Sequence, residues 1–84
     1  MAAATEIIYP QYRRYLNGRS WFKISSPAEM EEVQQIGSRY VLHTLNATIL
    51  PDRNHIYDLT FGYAEYATVI SAAEYAEARK LVNA

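Results

Sequence analysis

Between Tyr9 and Lys23 the chain interleaves aromatic rings with cations: Tyr9, Tyr12-Arg13-Arg14-Tyr15, Arg19 and Trp21-Phe22-Lys23. Surfaces of this kind bind single-stranded nucleic acid, because bases stack on rings while cations meet phosphates. The tract has no RNP1 pattern and no GXXG loop, and the whole chain carries a net charge of −1 rather than a strongly basic balance. The same residues also suit an ordinary β-hairpin whose arginine stems pack over tyrosine rings. Tyr12, Arg13, Arg14, Tyr15, Arg19, Trp21 and Lys23 are therefore a candidate binding surface and not a signature.

His43 is the other residue with chemical potential. It alternates with Val41, Leu45, Ala47 and Ile49, which predicts that it faces the core of a strand. There it would be a buried proton carrier or, more simply, a core histidine satisfied by a backbone carbonyl. A pocket lined by His43 and nearby tyrosines is the corresponding small-ligand reading. Asp52, His55 and Asp58 are metal-ligand types, but strand alternation separates His55 from Asp58, and no second histidine is near in sequence. Glu29, Glu31 and Glu32 are explained by a helical first turn. No glycine-rich phosphate loop is present, and no serine or threonine stands beside a recognisable base. The chain reads as non-enzymatic, without cofactor or metal.

These residues sit on a short chain. Eighty-four residues make one domain, which buries only about 60–65 % of its unfolded surface, so association is a common remedy for marginal stability. There is no cysteine, which removes disulfides, thiolate metal sites and thiol nucleophiles. Without disulfides or a long apolar run, a cytoplasmic, non-membrane protein is expected. Charge is uneven. Residues 1–24 carry Arg13, Arg14, Arg19 and Lys23 against Glu6 alone, while residues 25–84 carry four cations against eight acids. Such asymmetry suits a polyanion or a self-complementary surface. The eight tyrosines favour an interface.

Two stretches resemble each other. Ser26-Pro27-Ala28-Glu29-Met30-Glu31-Glu32-Val33 aligns without gaps on Ser71-Ala72-Ala73-Glu74-Tyr75-Ala76-Glu77-Ala78, each after a β-type run. Both read as a serine N-cap with a glutamate three residues on, followed by an amphipathic helix. The expected order is then β-β-α-β-β-β-α. A tail covers 1–8 and one α+β domain covers 9–84. Asn17-Gly18 turns a hairpin with arms 12–16 and 20–24, with a longer loop or bulge expected to set its register. A helix over 27–36 ends at Gly37 in the left-handed C′ conformation. A strand over 39–50 precedes a turn at 51–54, strands over 55–61 and 64–70, and a helix over 72–82. Both helices should lie on one face of a mostly antiparallel sheet. The other face would be partly bare, and a tyrosine-rich surface there or a sheet edge would pair with a second copy. The functional expectation is a self-associating interaction module, most simply a homodimer. The alternatives are a nucleic-acid-binding protein using hairpin 12–24 and a small-ligand or accessory domain with a pocket near His43.

Overall fold

Asn17-Gly18 makes a hairpin between β1 (Gln11–Tyr15) and β2 (Ser20–Ser26). Gly18 has φ +75°, a conformation that favours glycine, and its N–H donates to Tyr15 O at 2.9 Å. Asn17 Oδ1 accepts from the Arg19 N–H at 2.8 Å. The register is the plain one, with Arg13 opposite Phe22, so the expected offset at this turn is absent. The irregularity lies at the other end of β2, between Ile24 and Ser26. The computed structural model describes residues 7–83; residues 1–6 of the expected tail lie outside the described residues, and Ile8 is 81 % exposed.

The largest correction concerns residues 27–36. The expected first helix is strand β3 (Glu29–Ile36), joined to β2 by a tight turn at Pro27-Ala28. Ser26 caps no helix; its Oγ accepts from the Ala28 N–H at 3.1 Å and so closes the turn. Gly37 is left-handed as expected, with φ +62°, but it turns β3 into β4 (Arg39–Asn46). The apolar spacing Met30, Val33, Ile36 fits a helical stripe. It is tolerated in a strand because both faces of β3 are covered: Met30 is buried on one side and Val33 on the other.

The chain then leaves the sheet. Residues 50–60, expected as a strand end, a turn and a further strand, form helix α1 (Leu50–Thr60). Pro51 stands in its first turn, where a missing N–H costs little, and Asp52 favours the positive end of the helix. β5 is short (Ala67–Val69) and pairs with β1. Helix α2 (Ala72–Lys80) follows as expected, with Ser71 Oγ accepting from the Glu74 N–H at 3.0 Å. A 3-10 turn, Leu81–Asn83, closes the described chain.

The result is an α+β domain of order β-β-β-β-α-β-α. Its antiparallel sheet runs β4-β3-β2-β1-β5. The helices take opposite faces of the sheet, not one face. Phe22, Ile24 and Met30 pack with Ile56 and Leu59 of α1. Trp21, Val33, Tyr40 and Leu42 pack with Tyr75 and Ala78 of α2. Since neighbours along β2 alternate between these two sets, the two helices sandwich the sheet. Phe22, Ile24, Val33, Ile56 and Leu59 are almost wholly buried, each contributing about 1.5–3 kcal/mol. Each face of the sheet carries a helix, so neither is the uncovered face expected.

Candidate interaction surfaces

The basic aromatic tract is divided between the two faces. Arg13 points to the α1 side and is only 2 % exposed. Its Nε donates to Leu59 O at 3.0 Å and its Nη2 to Thr60 O at 3.1 Å, the last carbonyls of α1. Nη1 donates to Tyr12 O and to Gln11 Oε1, and the guanidinium lies 4.2 Å from the Tyr63 ring centre. α1 has no basic residue in its own last turn, so Arg13 supplies from β1 the charge that its negative end favours. Tyr15 shares this side, edge-on to Phe22 at 4.7 Å.

Tyr12, Arg14, Trp21 and Lys23 take the other face, towards α2. Tyr12 meets Tyr75 at 5.5 Å, and Trp21 meets Tyr40 at 6.1 Å. Arg14 pairs with Glu74 at 3.3 Å. Tyr75 is buried and donates its hydroxyl to Glu31 Oε1 at 2.6 Å, while Arg79 Nε stands 3.7 Å from the same oxygen. Burial, then the Glu31 carboxylate, raises the Tyr75 hydroxyl well above the usual phenol range. Of the four cations of the front half, Arg14 thus meets an acid of the same chain, and Arg13 meets backbone carbonyls. Arg19 is exposed in the hairpin turn.

His43 does not face a core. It is exposed on β4, with Nε2 2.9 Å from Gln34 Oε1. The inward position expected for it is therefore corrected: α1 covers β2 and the near end of β3, and leaves the middle of β4 in solvent. Asp52, His55 and Asp58 stand on α1 and not on a turn and strand. Among the described residues no three such side chains group to hold a metal ion.

β4 presents a feature that the sequence pattern did not single out. It is the outer strand of the sheet, eight residues long, and pairs with β3 at every position without a shift. Gln35 N–H donates to Arg19 O, and Ala47 N–H donates to Ala28 O. Odd-numbered residues of β3 therefore bond towards β2, and odd-numbered residues of β4 towards β3. Tyr40, Leu42, Thr44 and Asn46 aim their backbone N–H and C=O groups away from the sheet. Among the described residues no hydrogen bond satisfies those groups. The strand has no proline, no bulge and one charge, Arg39. Those are devices that usually blunt an edge; cover by another element is a further one, and here the Leu81–Asn83 turn packs against β4 beside Tyr40. The opposite edge, β5, is only three residues long.

No family model, curated protein or solved structure matches this chain.

Apolar side chains are exposed at several places, among them Leu16, Ile36 and Val69, and a group of them lies along α1. Ile56 and Leu59 face the sheet, but Leu50 is 68 % exposed, Tyr57 61 % and Phe61 48 %. Tyr57 and Phe61, one turn apart, stack at 4.8 Å between ring centres. Beside them is a groove of about 380 Å³ walled by Tyr9, Pro27, Arg53, Tyr57 and Phe61. The sequence signal for this surface is the i, i+4 spacing of Tyr57 and Phe61, which an alternating reading of Tyr57, Leu59 and Phe61 conceals. No helix among the described residues is long and apolar enough to cross a membrane.

Proposed function

We propose that this chain is a non-enzymatic interaction module that self-associates, its β4 edge pairing antiparallel with β4 of a second copy. The observation that carries the reading is the free row of Tyr40, Leu42, Thr44 and Asn46 on a long, regular, nearly uncharged edge. Backbone groups aimed from such an edge form a template for another strand. A two-fold axis perpendicular to the sheet uses the whole row when Tyr40 lies opposite Asn46 of the second copy and Leu42 opposite Thr44. That arrangement is isologous and closes on itself, so it stops at two copies. It keeps the α1 sides together and the α2 sides together, and extends the five-stranded sheet across both chains.

Thr44→Pro tests it. The Thr44 N–H points outward and serves no bond within the chain, so proline there removes an intermolecular donor and leaves the β3 ladder intact. Sedimentation equilibrium should give a two-chain mass for the parent at micromolar concentration and a one-chain mass for Thr44→Pro, with the same circular dichroism. Thr44→Lys, which charges the edge without constraining its backbone, should also give one chain. A parent that stays at one chain, or variants that associate as the parent does, would overturn the reading.

A further inference from the structure

We infer that the groove on the outer side of α1 is a binding site for a small apolar monocarboxylate. Three separate segments build it: Tyr9 before β1, Pro27 in the β2–β3 turn, and Arg53, Tyr57 and Phe61 on α1. At about 380 Å³ it falls in the size range of small-molecule sites. Its walls are mainly aromatic rings and a proline, with Ile56, and Asn54 and Thr60 add polar groups to the lining. These surfaces take flat or aliphatic groups. Arg53 supplies the one formal charge. Among the described residues it makes no ion pair, a condition it shares with Arg19, Lys23 and Arg39, whereas Arg14, Arg79 and Lys80 each have an acid within 4 Å. A guanidinium beside an apolar groove is matched by a carboxylate, which it can hold with two parallel hydrogen bonds.

The site stands on a rigid support. Arg13 ties the C-terminal carbonyls of α1 to β1, and Ile56 and Leu59 anchor the inner face of the helix. Tyr57 and Phe61 lie in mutual contact, 4.8 Å apart between ring centres and tilted by 46°. The concave shape and single cation favour a small ligand over a flat protein surface. This inference stands apart from pairing at β4, because none of the four outward-facing residues of that edge lines the groove.

The experiment is an amide NMR titration of the full chain with 1-naphthaleneacetate, and in parallel with 1-naphthaleneacetamide, its uncharged analogue. Saturable shifts should centre on Tyr9, Arg53, Tyr57 and Phe61, with the acid binding more tightly than the amide. Arg53→Gln should weaken acid binding about tenfold and leave amide binding unchanged. Tyr57→Ala, at an exposed position, should weaken both. Absence of saturable shifts up to millimolar acid would overturn the inference. So would equal affinity for acid and amide, or unchanged acid affinity in Arg53→Gln. Shifts of the same signals on dilution of the protein alone would place a second copy in the groove and overturn it as well.

Discussion

Arg13 shows how far one residue can depart from its local reading. In a run of Tyr-Arg-Arg-Tyr it looks like a solvated cation free for a polyanion. In the fold it is buried, and its fork holds two carbonyls that lie 46 and 47 residues away in the chain. No local pattern encodes that partnership. A lysine keeps the charge but cannot present two donors in one plane to two carbonyls. Arg13→Lys should therefore destabilise the domain by about 1–3 kcal/mol, read as a lower urea midpoint at an unchanged slope. Arg19→Lys, at an exposed turn position, should leave the midpoint in place.

Tyr75 gives a second residue-level test. In the unfolded chain its hydroxyl titrates near the ordinary value of 10.0, and in the fold burial and then Glu31 raise it. Burial also raises Tyr15 and Tyr66, with further contributions from Glu32 at Tyr15 and Asp58 at Tyr66. Above about pH 10 the unfolded state loses protons that the native state keeps, so stability is whole below that pH and falls as pH rises through the folded values. Tyr75→Phe removes one of these protons from the balance. Urea midpoints measured from about pH 8 to about pH 11 should fall less steeply for Tyr75→Phe than for the parent. At neutral pH the variant should be weaker by about 1 kcal/mol, because Glu31 loses its donor.

At the scale of elements, the two similar stretches take different structures. The second is a helix with a working serine cap, Ala-rich in its middle, with Arg79 and Lys80 in its last turn. The first has the same cap residues and an even better apolar stripe, and it is a strand. What decides between them is the sheet. β3 lies between β2 and β4, pairs with both along its length, and is covered by α1 on one side and α2 on the other. A strand packed on both faces need not alternate, so the pattern that signals a strand is weak in β3, although the central strand β2 keeps it. α1 is the converse case. Its inner residues Ile56 and Leu59 and its outer residues Tyr57 and Phe61 together imitate alternation. The Asn17-Gly18 hairpin, the left-handed Gly37 and the Ser71 cap were legible because each depends on two or three adjacent residues. The contrast can be measured. Ser71→Ala should cost about 0.5–2 kcal/mol and lower the helical signal of α2. Ser26→Ala, which removes only a turn bond to Ala28, should cost less and leave helicity unchanged.

For the whole molecule, the run of strand and helix signals carried the α+β class, but not the layering. The expected dimer rested on a partly bare sheet face or a sheet edge, and the helices on the two faces leave the edge. The β4 edge and the outer side of α1 are two exposed surfaces that share no residue. Their separation makes the two readings independently testable. If copies join at β4, folding and association are linked, and mass action raises the melting temperature with protein concentration. The parent should show that rise, Thr44→Pro should melt at one temperature across the same range, and Arg53→Gln should follow the parent. In the ligand titration the order reverses: Thr44→Pro should bind 1-naphthaleneacetate as the parent does, and Arg53→Gln should not. A rise in melting temperature that persists in Thr44→Pro would move the contact off the edge. The exposed Leu50, Tyr57 and Phe61 would then be the next surface to substitute, because burying a patch of that kind is the other way a small domain gains stability from a second copy.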